Sequence, residues 1–171
     1  MKRLSLALAC LALGAGAASA EVVNRSENGF TLSYERTVSA TPSAVLEGLA
    51  RPGDWWSDAH TWSGAASNLS VDLTPGGCWC ESLPGGGVKH AETVLVWPEQ
   101  RIARFDAPFG PLQAMAADAA LTVSWADGED GARLLKWTFV VSGPDAGALA
   151  DPIDAVIGEQ FNRFADHLDD D

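Results

Sequence analysis

His90 and Glu92 stand two residues apart in a run, Val88 to Trp97, that reads as a long strand, and Glu81 stands in the strand-like run before it. Residues two apart in an extended chain project from the same face. An imidazole beside a carboxylate on that face is an acid–base pair of the kind that aldol-type cyclisation or dehydration requires. Such chemistry needs the face to be concave; on a convex face both groups are ordinary solvated side chains. Leu95 and Trp97, of the opposite parity, also call for burial, so the alternation leaves the concave face of this run open. Asp58-x-His60, beside Trp55-Trp56, is a second carboxylate–imidazole pairing with no identifiable third ligand, so no metal and no cofactor is expected. Gly85-Gly86-Gly87 joins two strands without a following helix to hold a phosphate, and no nucleophile elbow occurs.

Cys78 and Cys80 share a strand face. In a regular strand their Cα atoms lie roughly 6.5–7 Å apart, the outer limit for a disulfide, and a bulge would close that gap. Bridged and unbridged states both remain open. Seven tryptophans are a high count for a small acidic chain. Trp55, Trp56 and Trp62 cluster in one loop, whereas Trp79, Trp97, Trp125 and Trp137 fall one to a strand. As a set they suit an aromatic-lined pocket better than an aliphatic core.

These groups must be carried by a small set of elements. Ile153, Val156, Ile157, Phe161, Phe164 and Leu168 recur at helical spacing, with Asp151 as expected N-cap and Pro152 at the first helical position. Asp169-Asp170-Asp171 sits unfavourably at the negative end of the helix dipole and is expected to fray. Gln160 lies inside the apolar stripe and His167 at its edge; the amide is expected to find a ligand or a strand partner, the imidazole to be solvated. Ahead of the helix, Phe30 to Val38 alternates as a strand, Thr41-Pro42 opens a short helix, and a second short turn begins at Asp54-Trp55-Trp56. A meander follows, its strands separated by Thr74-Pro75-Gly76-Gly77, Pro84 to Gly87, Pro98-Glu99 and Asp127 to Gly131. Pro108 to Ala119 is a looser connection, with a half-turn of helix over an opening. Leu135, Trp137, Phe139 and Val141 share one strand face, expected to point at the helix. The fold class is therefore α+β, a curved antiparallel sheet of about six to seven strands wrapped around a long C-terminal helix.

Residues 1–20 read as a secretory leader: Lys2-Arg3, an apolar run from Leu4 to Leu13, and Ala18-Ser19-Ala20 with a cut after Ala20. Lipoprotein processing at Cys10 would leave an unusually short apolar region. The apolar run is too short to span a membrane, so the expected product is periplasmic or secreted, with residues 21–171 as one domain and no stable membrane insertion. A formal net charge of −12 argues against nucleic acid as a partner.

Four stretches carry a family resemblance: Val45…Leu49-x-x-Pro52…Trp55-Trp56, Leu73-x-Pro75-Gly76-Gly77-x-Trp79, Glu92…Val96-x-Pro98-x-x-Arg101-Ile102, and Phe161-x-x-Phe164. In order and spacing the chain resembles the START-like (SRPBCC, helix-grip) superfamily, near its polyketide cyclase/dehydrase-like members and the homologues of a chaperone-ATPase activator. The resemblance implies a deep pocket between sheet and C-terminal helix that takes an apolar or amphipathic small molecule. Trp79, Leu135, Trp137, Phe139, Phe161 and Phe164 are then the expected walls and Gln160 the polar contact. A fold of this kind does not choose among activities. The alternatives are a cyclase or dehydratase using His90 with Glu92 or Glu81, and a protein-binding module presenting the Trp55-Trp56-Trp62 loop. The leader counts against chaperone-ATPase activation, since no ATP is expected outside the inner membrane.

Overall fold

The computed structural model describes residues 19–170. The expected leader lies outside the described residues except for Ser19 and Ala20, which open the first strand. In chain order the elements are β1 (Ser19–Ser26), β2 (Gly29–Val38), α1 (Pro42–Ala50), β3 (Leu69–Val71), β4 (Cys78–Leu83), β5 (Gly86–Trp97), β6 (Ile102–Asp106), α2 (Pro111–Ala114), β7 (Asp118–Asp127), β8 (Arg133–Ser142) and α3 (Ala150–Asp170).

All eight strands belong to one antiparallel sheet in the order β1-β2-β8-β7-β6-β5-β4-β3. The meander from β3 to β8 follows from its short connections, because neighbours joined by tight turns can only be antiparallel. Gly85, at φ 78°, makes the β4–β5 turn where a side chain would be strained. β2 then closes on β8 across the chain, Phe30 facing Val141 and Tyr34 facing Trp137. The sheet holds one strand more than the pattern predicts. β1 carries no apolar alternation, Val23 being half exposed, and is recruited by backbone pairing with β2.

The sheet wraps around α3, which is the helix-grip arrangement expected. Ile153, Ile157, Phe161, Phe164 and Leu168 are buried, and Val156 is half-buried. The helix starts one residue before Asp151, continuing a 3-10 turn at Ala146–Leu149. Asp151 is therefore no N-cap; it ion-pairs with Arg25 at 2.7 Å. Pro152 is still tolerated, since N–H groups of the first turn have no helical partner. At the other end the expected fraying does not occur through Asp170. Asp169 accepts from the Ser39 N–H (2.8 Å) and Arg36 Nη2 (2.9 Å), and Asp166 from Arg36 Nη1 (2.6 Å). One arginine from β2 thus offsets the like-signed end of the helix dipole. His167 is half-buried next to Gly48 of α1 rather than solvated.

Among the described residues no helix is long and apolar enough to cross a membrane.

Candidate functional site

The inner face of the sheet is filled, not hollow, along most of α3. Trp55 turns inward from its loop and packs on Phe164 (ring centroids 4.8 Å), Trp137 (5.9 Å) and Trp79 (6.2 Å). Trp137 meets Phe161 at 5.7 Å and Phe164 at 5.6 Å, and Tyr34 stacks on Phe161 at 5.4 Å. The expected cavity walls Trp79, Leu135, Trp137, Phe139, Phe161 and Phe164 are all at most 1% exposed and constitute this core. They are packed core and are not among the residues that line the cavity described next. The reason is the Trp55-Trp56 pair, whose two indoles fold into the space the sheet's curvature leaves.

Gln160 is also spoken for. Its Oε1 accepts the Ser57 N–H at 2.8 Å, so the buried amide anchors the chain after Trp56 to the helix instead of facing a ligand. Trp55 and Trp56 are buried, which removes the exposed three-tryptophan patch; of the three indoles only that of Trp62, at 66%, is exposed.

One open space lies beside this core, toward the start of α3. A cavity of about 400 Å³ is walled by Ile153, Val156 and Ile157 of the helix on one side and by Trp56 and Phe109 on another. Trp62, Gly110 and Pro111 form its rim, Gly110 as the N-cap and Pro111 as the first residue of α2. Phe109 and Trp56 rest on Trp79 (5.4 and 5.3 Å), so the aromatic core supports the floor of the cavity without entering it. His60 and His90 are its two titratable lining residues.

His90 reaches the inner face through a bulge. Opposite β4, Cys78 faces Glu92, Trp79 faces Ala91 and Cys80 faces Lys89, leaving His90 as the extra residue of β5. An inserted residue reverses the inside–outside parity of the strand. His90 and Ala91 both turn inward, whereas Glu92 turns outward and ion-pairs with Lys89. The expected His90–Glu92 pair is thereby undone. A second register shift, between Thr93 and Leu95 against β6, explains why alternation along this strand was uninterpretable.

The partner His90 does meet is Glu81, inward on β4 two residues beyond Trp79, with Nε2 to Oε2 at 2.8 Å. The Glu81 side chain is wholly buried and that of His90 9% exposed. The same carboxylate also accepts the Trp62 N–H at 3.1 Å and the Ser63 N–H. Burial alone would raise the Glu81 pKa, but the donors from Ser63, Trp62 and His90 outweigh it and hold the carboxyl below its ordinary range. An ionised Glu81 therefore keeps a proton on His90 Nε2 and leaves Nδ1 as the nitrogen for other work. It also staples the Trp62 rim to the sheet.

His60 is paired not with Asp58 but with Glu159, on the polar side of α3, its Nε2 3.0 Å from Oε2. Asp58 instead accepts the Ala66 N–H at 2.6 Å and shapes the loop. Partial burial would raise Glu159, yet the Ser57 hydroxyl, His60 and Arg163 lower it on balance. Trp56 Nε1 donates to the His60 carbonyl at 3.0 Å, so an indole of the cavity floor fixes the backbone of a wall residue. No sequence signal linked His60 to Glu159, since the two are joined by tertiary packing alone.

On the outer face Cys78 and Cys80 form a disulfide with Cα atoms 5.3 Å apart, the bulge beside them matching the shortened spacing. Among the described residues no group of three or more His, Cys, Asp or Glu is placed to hold a metal.

No family model and no curated protein matches the chain. Solved structures do. A conserved protein of unknown function from Enterococcus faecalis superposes with TM-score 0.56 at 14% identity, covering 88% of this chain and 76% of its own. A protein from Chromobacterium violaceum gives 0.55 at 18%, covering 82% and 98%. A truncated norcoclaurine synthase from Thalictrum flavum gives 0.55 at 12%, covering 84% and 96%. At such identities the likeness establishes the fold alone.

Proposed function

We propose that this chain binds an apolar or amphipathic small molecule in the cavity between the start of α3, the loop carrying Trp56 to Trp62 and the Phe109-Gly110-Pro111 connection. The observation that supports it is a half-open space of about 400 Å³ whose walls are aliphatic and aromatic and whose two titratable groups are histidines. Few convergent polar groups in an apolar concavity are the usual composition of a small-molecule site. The leader-like pattern of residues 1–20 supports a periplasmic or secreted setting for this binding. The test is intrinsic fluorescence titration with isoprenoids, fatty acids and aromatic polyketides, because Trp56 and Trp62 both line the space. Saturable quenching is expected, and Val156→Trp, which fills the cavity from its half-buried wall, should abolish it. Absence of saturation with all three classes, or saturation indifferent to Val156→Trp, would overturn the reading.

A second reading is favoured by one observation, the Glu81–His90 pair at 2.8 Å opening on the same cavity. With Nε2–H donated to an ionised Glu81, the other ring nitrogen of His90 would serve as the base that takes a proton from a ligand in this cavity, the first step of a cyclase or dehydratase. The similar fold of a norcoclaurine synthase is an instance of an enzyme on this architecture. Exchange of the α-hydrogens of bound carbonyl compounds with deuterated solvent, lost in His90→Gln, would establish it. No exchange above that of free imidazole would end it.

A further inference from the structure

The two histidines of the cavity share a feature that neither has alone. Each turns Nε2 to a glutamate from a different element, His90 to Glu81 of β4 and His60 to Glu159 of α3. Both glutamates are held below the ordinary carboxylate range, so both prefer a proton on the Nε2 they face. In the tautomer that donates Nε2–H to its glutamate, the remaining nitrogen, Nδ1, is a hydrogen-bond acceptor. Apart from these rings the lining is Trp56, Trp62, Phe109, three aliphatic residues of α3 and small residues, and it includes no lysine or arginine. The chain as a whole carries −12. A carboxylate or phosphate head would find no fixed cation there and a repelling field.

Resting on the cavity reading above, we infer that the ligand is an uncharged, largely apolar molecule with two hydroxyl or phenol donors, one received by His90 Nδ1 in the depth and one by His60 Nδ1 at the side. The two acceptors are unequal. The His90–Glu81 pair is buried, whereas the side chains of His60 and Glu159 are 29% and 44% exposed. The inner hydroxyl is therefore the more discriminating, because water cannot replace it there.

The experiment compares four biphenyls of one shape by isothermal titration: biphenol, phenylphenol, dimethoxybiphenyl and biphenyl dicarboxylate. A neutral hydrogen bond is worth roughly two- to tenfold in affinity. Biphenol should bind about tenfold or more tighter than dimethoxybiphenyl, with phenylphenol between them and the dicarboxylate weakest. His60→Phe should reduce biphenol to the affinity of phenylphenol and leave dimethoxybiphenyl unchanged. Because His90→Gln risks disturbing Glu81, its side of the argument is read in the unaltered protein. Biphenol, and not dimethoxybiphenyl, should shift the Nδ1 resonances of both rings. Equal affinity for biphenol and dimethoxybiphenyl, a preference for the dicarboxylate, or an unaltered biphenol affinity in His60→Phe would refute the two-acceptor site while the cavity stands. Failure of all four compounds to bind would refute both.

Discussion

Replacing Glu81 by Gln keeps the volume of a fully buried side chain while removing its charge and exchanging one acceptor oxygen for an N–H2 donor. The carboxylate accepts from His90 Nε2 at 2.8 Å, from the Trp62 N–H at 3.1 Å and from the Ser63 N–H. Hydrogen bonds to a charged acceptor contribute roughly 1.5–3 kcal/mol and neutral ones about 0.5–1.5, so the three together lose about 3 kcal/mol. The amide also presents an N–H2 where the carboxylate had an acceptor, and at least one donor must then turn away or meet water. Partial solvation of the loop N–H groups offsets some of this, which leaves roughly 2–4 kcal/mol, a large part of an ordinary domain's stability. Urea unfolding should show a lower midpoint at unchanged slope, and amide exchange should show lost protection at Trp62 and Ser63. The effect also has a pH signature. The folded pKa of Glu81 lies below its unfolded value of about 4.3, so the folded state binds fewer protons there. Its contribution is complete above that value and is lost as pH falls through the lower, folded one. The gap between wild type and Glu81→Gln should accordingly be full at neutral pH and close in acid. A loss under about 1 kcal/mol at neutral pH with both amides still protected would refute the claim that this carboxylate holds the Trp62 rim.

Tyr34, the single tyrosine of the chain, donates to Asp154 Oδ1 at 2.6 Å. Burial, then this hydrogen bond and the charge of Asp154, raise its pKa above the ordinary 10.0. Since the folded value exceeds the unfolded one, the stabilisation is complete below about pH 10 and lost as pH rises further; tyrosinate absorbance should appear only together with unfolding. Gly48→Ala in α1 sets a helix gain of about 1 kcal/mol against overpacking of about 1–3 kcal/mol. The new Cβ would sit 2.9 Å from Cε2 of the buried Phe164 ring, so overpacking wins and the thermal midpoint should fall. Gln160→Leu leaves the Ser57 N–H unpaired in a buried position and should cost about 1–3 kcal/mol in urea unfolding; a neutral outcome would mean water reaches that amide.

Several features were legible without coordinates because they depend on neighbours in sequence. The stripe from Ile153 to Leu168 follows from helical periodicity, the inward set Leu135, Trp137, Phe139 and Val141 from strand alternation, and the antiparallel meander from its Pro- and Gly-rich turns. Even the opening near Pro111 was signalled by a loose connection between strands. Where local rules failed, an unpaired residue or a long-range partner had intervened. One bulge residue reversed the parity of β5 and exchanged Glu92 for Glu81 as the companion of His90. Two indoles from a loop filled the space assigned to a ligand.

The sequence by itself determined the class of fold, the buried face of α3 and of β8, and the identity of the chemically capable residues, since periodicity and residue type are properties of a local segment. Only the tertiary structure decided where the cavity lies and which carboxylate serves which histidine. Those are outcomes of packing competition: the curved sheet has a fixed interior volume, and the bulkiest side chains within reach, Trp55 and Trp56, occupied the middle of it. What they left open is the space at the start of the helix by His60 and His90.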